Sequence, residues 1–142
     1  MYTITQDTLY IRACSYSTLV KEVSEEYSFN GNVLSWILNN SCVYYGSSFK
    51  GRVQGSSSLL GGKYKLPIII NEKNCLIFFP LYIKMEVIWI NFNMINNLEK
   101  VDNLIVINFK KGSKLELNIS YTVINNQLLK CSRLWWVYLS RK

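Results

Sequence analysis

Residues 42–52, CVYYGSSFKGR, combine the side chains in this sequence that are best suited to holding an anion. Two glycines permit a tight turn, and the turn brings together the hydroxyls of Ser47 and Ser48 with the cations Lys50 and Arg52. Such a turn can direct N–H groups, hydroxyls and positive charge at one anion, most simply a phosphate. A tight surface turn with solvated charges is the alternative, because short Gly/Ser turns are common.

Two further groups of cations carry the same kind of chemistry. Lys110, Lys111 and Lys114 crowd a predicted hairpin turn, and Lys130 and Arg133 lie on one face of a predicted C-terminal helix. A lysine-rich hairpin tip can follow a nucleic-acid backbone or enter a groove. A solvated hairpin is the alternative for the tip.

The charge is unevenly distributed along the 142 residues, whose net formal charge is +7. Residues 1–42 carry two cations and four acids, whereas residues 43–142 carry fourteen cations and five acids. A basic portion of this kind predicts a polyanionic partner, either nucleic acid or an anionic membrane surface. Ordinary solubility charge is the alternative.

The residue types exclude most catalytic and metal chemistry. The chain has no histidine, so the usual base for Ser47 or Cys42 as a nucleophile is missing, and no carboxylates are paired for acid–base work. The four cysteines form no Cys-x-x-Cys pair. We therefore expect no enzyme activity, no cofactor and no metal.

The start of the chain and its apolar runs predict a cytoplasmic protein. Residues 1–7 lack the charged start and apolar core of a signal peptide. The longest apolar run, residues 75–83, is nine residues long, well short of a membrane span. The thiols are expected to be reduced, and no membrane partner is expected.

The elements that must position these residues are predicted to form an α+β fold with an antiparallel sheet. Residues 9–13 alternate like a half-buried strand, and residues 18–29 suit either its hairpin partner or a helix. A short helix over residues 33–38 follows, with Asn32 as a cap and with Val33, Trp36 and Ile37 facing the core. Serines and glycines over residues 56–62 predict a loop.

The second half is predicted to contain consecutive short strands and a final helix. The predicted strands cover residues 66–70, 75–79, 87–92, 104–109 and 115–119, and Pro80 is predicted to end the second of them. A turn region is predicted over residues 96–103, and a hairpin turn is predicted at residues 110–114. The final helix carries an apolar stripe that is predicted to pack on the sheet: Tyr121, Ile124, Leu128, Cys131, Trp135 and Tyr138. The surplus Trp136 suggests a dimer interface.

Several motifs resemble those of the competence transcription factor (ComK) family, and they occur in the same order. Residues 42–52 are similar to its signature Cys-x-aromatic-aromatic-Gly-Ser-Ser-aromatic-x-Gly-Arg. Residues 65–68, 76–80, 89–90 and 119–121 with 126–127 resemble its later motifs at similar spacing. The resemblance covers residues 41–138, and residues 1–40 match only in outline.

The resemblance implies a single DNA-binding domain over residues 1–142 that activates competence genes. Members of the family bind paired A-tract boxes in promoters, mainly through the minor groove, as assemblies of dimers. A-tract minor grooves attract Arg and Lys, so Arg52 is the candidate for insertion into the groove. The candidates for phosphate contacts are Ser47, Ser48, Lys50, Lys110, Lys111, Lys114, Lys130 and Arg133.

The sequence departs from the family at two places. Residues 55–63 replace a more strand-like stretch, and the sequence ends at Lys142, where longer members continue with a tail bearing a Phe-Met-Leu-Tyr-Pro element that a proteolytic adaptor reads. A second hypothesis follows: a shortened paralogue that modulates a full-length ComK through the exposed pair Trp135 and Trp136, with little activation of its own.

Overall fold

The computed structural model describes residues 2–141 and confirms an α+β fold with antiparallel sheets and a C-terminal helix. Short 3-10 turns occur at Phe92–Met94 and Lys110–Gly112. In chain order the elements are β1 (Thr8–Cys14), β2 (Ser17–Glu22), β3 (Glu26–Asn30), α1 (Leu34–Tyr44), α2 (Phe49–Leu60), β4 (Ile68–Asn71), β5 (Leu76–Ile83), β6 (Glu86–Asn91), β7 (Ile95–Val101), β8 (Leu104–Phe109), β9 (Lys114–Leu117) and α3 (Tyr121–Ser140).

The strands form a six-stranded sheet in the order β3-β2-β1-β6-β5-β4 and a three-stranded sheet in the order β7-β8-β9. Every pairing is antiparallel. The two three-strand meanders of the larger sheet join through β1 and β6, where Tyr10 is opposite Ile90 and Ala13 is opposite Val87. Residues 18–29, which suited either a hairpin or a helix, form most of β2 and β3.

The larger sheet is buried on both faces, which gives the molecule three layers. One face packs on α1 through a cluster that includes Ile11, Ile37, Phe78 and Trp89. The other face packs on the smaller sheet and α3 through a second cluster of buried apolar side chains: Leu9, Tyr10, Ile69, Ile77, Phe79, Leu81, Ile88, Ile90, Ile105, Ile107, Phe109, Leu115, Leu117, Ile124, Cys131 and Leu134.

The first helix is longer than predicted, and its buried face is shifted. It runs to Tyr44, and its buried positions are Leu34, Ile37, Leu38, Ser41 and Cys42. The prediction that Trp36 faces the core was wrong, because the stripe set by residues 34, 37, 38, 41 and 42 leaves that side chain 44% exposed. Asn32 does serve the helix start, since its Oδ1 accepts a hydrogen bond from the N–H of Leu34 at 3.1 Å.

The prediction of a loop over residues 56–62 was also wrong, because α2 continues through Leu60. Local signals bound this helix at both ends: Ser48 caps its start, and Gly61 ends it in a left-handed conformation with φ +81°. The small side chain of Ser56 is 2% exposed on the buried face of the helix. Tertiary packing here outweighs the weak helix propensity of serine and glycine.

Strand β5 continues past Pro80, where the sequence predicted an end. Proline has no N–H to donate to a neighbouring strand. Strand β4 pairs with β5 only as far as Phe78, so Pro80 has a neighbouring strand on one side only, where it is opposite Trp89 of β6. The Pro80 carbonyl accepts a hydrogen bond from Gln127 Nε2 at 2.6 Å.

The turn region predicted over residues 96–103 is a strand for most of its length. Strand β7 pairs with β8 from Ile95 to Val101, and the chain turns at Asp102, whose φ is +54°. Asparagine is disfavoured in strands, but pairing with the apolar β8 decides the conformation here.

Helix α3 forms as predicted, and Ser120 Oγ accepts a hydrogen bond from the N–H of Val123 at 3.3 Å. Its buried stripe is rotated from the predicted one: Ile124 and Cys131 are buried as expected, Tyr121 is 48% exposed, and Gln127 and Leu134 are buried instead. Gln127 Nε2 bonds two carbonyls, those of Lys65 and Pro80, whereas its buried Oε1 has no hydrogen-bond partner in the described chain. Within residues 2–141, no helix has the length and apolar character needed to cross a bilayer.

Candidate nucleic-acid interface

The Gly-Ser-Ser turn joins α1 to α2, with hydroxyls at the start of α2. The chain reverses at Gly46, whose φ is +94°, and the N–H of Ser47 bonds the carbonyl of Cys42 at 2.9 Å. Ser48 Oγ accepts from the N–H of Gly51 at 3.0 Å. A Cβ on Gly51 would lie 3.1 Å from both serine hydroxyls, so glycine at this position lets the turn close. Ser48 therefore serves the helix as its cap.

Arg52 is held by the protein itself. Its Nη1 lies 2.8 Å from Glu72 Oε1, its side chain is only 15% exposed, and its Nε is buried without a hydrogen-bond partner in the described chain. Tyr138 of α3 also contacts the carboxylate of Glu72. The pKa of Tyr138 is raised, mainly by burial and in addition by its hydrogen bond with Glu72. Before Arg52 could enter a groove, it would have to leave this ion pair, so its role in groove insertion stays a prediction.

Cys42 begins the same segment and is an unreactive thiol. Its side chain is fully buried in the α1 cluster, and burial raises the pKa of Cys42 to about 11, with the charge of Arg52 opposing that shift. A thiol in this state is almost fully protonated at neutral pH, so it is a poor nucleophile. Lys50, on the first turn of α2, is exposed.

The hairpin tip between β8 and β9 presents its lysines to solvent. Lys110, Lys111 and Lys114 are all exposed, and the N–H of Phe109 bonds the carbonyl of Ser113 at 2.8 Å to close the tip. Lys111 and Gly112 both have positive φ, +71° and +99°. A left-handed conformation is unfavourable for lysine, and residues in such conformations often cluster at functional sites.

Two adjoining concavities of about 480 and 490 Å³ lie beside this tip and share Asn96, Asn97 and Lys110. The first extends to Tyr121 and Ser132 on one flank of α3. The second runs along the tip and the ends of β8 and β9. We call the two concavities together the tip groove; lysine, amide and aromatic side chains line them.

The cations of α3 lie elsewhere. Lys130 is half-buried and lines a separate concavity of about 180 Å³ with Lys65 and Tyr82. It is about 160° around the helix from Leu128, which faces the tip groove. Arg133 is exposed. The predicted cations thus fall into three places: the first turn of α2, the tip groove and the far flank of α3.

The structure adds residues that the sequence analysis missed. Asn93, Asn96, Asn97 and Asn108 line the tip groove beside the predicted lysines. The sequence does place several asparagines near the basic hairpin. Because residues 96–103 were predicted to be a turn, the pairing of β7 with β8, which brings these asparagines together, was not predicted. Within residues 2–141 no cluster of three or more His, Cys, Asp or Glu residues could bind a metal ion.

The sequence matches the family of ComK proteins over residues 1–141. The chain belongs to the ComK family. One curated relative is the competence transcription factor of Bacillus subtilis (strain 168), 27% identical over 97 residues, an alignment that covers 66% of this chain and 50% of the relative. The chain thus aligns with about half the length of that relative. No solved structure matches the chain.

Proposed function

We propose that this chain is a DNA-binding transcription regulator of competence genes, and specifically an activator that binds A-tract promoter boxes mainly through the minor groove. The observation that carries the proposal is the tip groove, where three exposed lysines border a concavity of about 490 Å³. The family, and the relative named competence transcription factor, support the same function.

The physics of the tip groove favours a duplex partner. Lysine ammonium groups that neutralise phosphates release condensed counterions, which supplies sequence-independent affinity. A-tract minor grooves are narrow and strongly negative, so they attract cations on a projecting hairpin. The Asn-lined wall of the groove offers amide groups that can bond base edges.

The proposal has further parts. Residues 1–142 act as one DNA-binding domain in the cytoplasm, without enzyme activity or a cofactor. The chain binds as a homo-oligomer, either a dimer or a pair of dimers, because two boxes spaced along a duplex are best contacted by two copies.

The test is a titration of a labelled duplex carrying two A-tract boxes, with a G·C-rich duplex as the control, at several salt concentrations. Tighter A-tract binding is expected, with a logarithmic salt slope of about −0.9 for each phosphate neutralised. Equal and weak binding to both duplexes would refute a selective minor-groove regulator.

A second candidate function rests on the outer face of α3. Trp136, Leu129 and Leu139 are 69%, 59% and 48% exposed on this face. Of the predicted exposed pair, only Trp136 is open, because Trp135 is half-buried and stacks on Tyr138 with ring centroids 5.4 Å apart. An apolar strip of this kind could bind a full-length ComK protein and modulate it.

This candidate predicts mixed oligomers with a full-length relative at micromolar concentration, measured by size-exclusion chromatography with light scattering. Trp136→Asp should abolish them and leave the fold intact, because that side chain is mostly exposed. Separate elution of the two wild-type proteins would exclude the candidate.

A further inference from the structure

A polar row crosses the outer face of the smaller sheet at the hairpin-tip end. Asn97 on β7 is opposite Asn108 on β8, and Asn108 is opposite Lys114 on β9. The neighbouring positions in each strand, such as Ile107 and Leu115, point into the core, so the row lies on the solvent side. All three row residues line the concavity of about 490 Å³ in the tip groove.

The next row along this face has the opposite charge. Glu99 on β7 is opposite Val106, and Val106 is opposite Glu116 on β9. Phosphates are therefore attracted to the lysines of the tip and repelled from the centre of the sheet. This gradient confines a bound polyanion to the tip end, directly over the row of Asn97, Asn108 and Lys114.

Hydrogen bonds within the row fix the orientation of its amides. Asn108 Nδ2 donates to Asn97 Oδ1 at 2.7 Å and to Glu99 Oε1 at 2.5 Å. The carbonyl oxygen of Asn97 thus accepts one hydrogen bond and is held toward Asn108, whereas its Nδ2 has no partner within residues 2–141. Because Asn97 is exposed, it presents N–H donors to the tip groove.

An outward-facing N–H donor can discriminate between base pairs in the minor groove. In that groove A·T and T·A pairs show only acceptors, adenine N3 and thymine O2, whereas a G·C pair adds the guanine N2 amino group, a donor. An amide donor gains a hydrogen bond at an A·T or T·A pair. At a G·C pair it meets the guanine amino group, which is itself a donor. A discrimination of several-fold to a hundred-fold is typical of one well-placed contact.

We propose that Asn97 is the base-reading residue of this chain, donating to A·T edges in the minor groove, with Asn108 and Glu99 as positioning residues that hold its amide. The inference rests on the proposed DNA binding. Lys110, Lys111 and Lys114 supply phosphate contacts and do not contact base edges. None of these roles depends on Arg52 leaving its ion pair with Glu72.

The experiment compares three duplexes that differ only in their box pairs: A·T, inosine·cytosine and G·C. Inosine lacks the 2-amino group of guanine, so an inosine·cytosine pair matches A·T in the minor groove and G·C in the major groove. The wild-type chain should bind the A·T and inosine·cytosine duplexes alike and the G·C duplex more weakly. In Asn97→Ala the ratio of A·T to G·C affinity should fall about tenfold, and in Asn108→Ala it should fall less.

Two control variants separate base reading from charge and from folding. Asn103→Ala changes an exposed asparagine at the opposite end of the β7–β8 hairpin and should keep the wild-type ratio. Lys111→Gln should lower affinity for all three duplexes by the same factor and reduce the salt slope by about 1, with the ratio unchanged. Circular dichroism should show the same melting curve for Asn97→Ala and Asn103→Ala.

The outcomes distinguish this inference from the proposed function. If Asn97→Ala keeps the wild-type ratio, or if the wild-type chain separates A·T from inosine·cytosine, the base-reading role of Asn97 is wrong while DNA binding stands. If the wild-type chain binds none of the duplexes, the proposed function fails and the inference fails with it.

Discussion

The turn at residues 45–52 and the hairpin tip at residues 110–114 both carry cations beside glycine, but the protein uses their charges differently. At the turn, Arg52 is 15% exposed and paired with Glu72, and Ser48 is committed to capping α2. At the tip, Lys110, Lys111 and Lys114 are exposed beside an amide-lined groove.

The comparison shows that a cation in a family motif, such as Arg52, can be engaged within the protein and need not be available to a binding partner. The Arg52–Glu72 pair ties α2 to the segment between β4 and β5, so its main consequence in this conformation is structural. The tip lysines add little to stability and leave their charge available to a partner. Stability measurements should therefore respond to the turn, and binding measurements to the tip.

The largest expected effect comes from reversing the charge at the turn. Arg52→Glu replaces a mostly buried cation with a second carboxylate beside Glu72, whose side chain is 45% exposed, so the free energy of unfolding should fall by about 2 kcal/mol. The matched control is Lys50→Glu, two residues away on the same helix and exposed, which should change it by less than about 0.5 kcal/mol. Urea unfolding measures both, and equal losses would mean that the ion pair contributes nothing.

The buried thiol of the same segment should make stability depend on alkaline pH. Burial raises the pKa of Cys42 from 9.0 to about 11. Between these values the unfolded thiol ionises before the folded one, so the unfolded state binds fewer protons and stability falls as pH rises. The loss from this group should reach about 1 kcal/mol by pH 10.

The check is the stability difference between wild type and Cys42→Ala from pH 8 to pH 11, which should narrow as pH rises. Cys14→Ala is the control: Cys14 is a partly exposed thiol whose pKa is lowered by a hydrogen bond with Ser17, so its stability difference should not narrow as pH rises. A difference that stays constant with pH would contradict the buried-thiol account.

Removal of the helix cap should have a moderate effect. Ser48→Ala leaves the N–H of Gly51 without its acceptor, so the free energy of unfolding should fall by about 1 kcal/mol. Ser47→Ala changes a neighbouring serine outside the cap, so the free energy of unfolding should fall by less in this variant. If Ser47→Ala is the more damaging of the two in urea unfolding, the assignment of the cap is wrong.

The smallest expected effect, at the tip, has the opposite sign for stability. Lys111→Gly relieves a left-handed lysine with φ +71°, so stability should rise by about 0.5–1 kcal/mol. Duplex affinity should fall at the same time, because one phosphate contact is lost and the salt slope drops by about 1. A rise in stability with unchanged affinity and salt slope would show that Lys111 does not contact DNA.

Features set by local chemistry were predictable from the sequence. The hairpin at Lys110–Gly112 forms because lysine and glycine separate the apolar run of β8 from the alternating residues of β9, and α3 forms because its apolar residues recur at helical spacing. The three-lysine tip was therefore identified as a candidate contact before its surroundings were known. Whether these lysines bind DNA stays a prediction.

Features set by partners distant in sequence were not predictable. Gln127 is buried because the carbonyl of Pro80, 47 residues away, accepts its amide. The Asn97–Asn108 row exists because β8 pairs with a segment whose asparagines predict a turn. The partner of Arg52 is 20 residues away and only approaches it when β4 docks against α2.

The joint between β1 and β6 also has a kinetic consequence. These strands meet across more than seventy residues, as in the pairing of Ala13 with Val87, and the whole of α1 and α2 lies inside the loop that their meeting closes. Closing so long a loop is entropically expensive, which slows folding of high-contact-order topologies. On a ribosome, β1 gains its second neighbour only after β6 has emerged, so the buried surroundings of Cys42, which include Trp89 of β6, are completed late in synthesis.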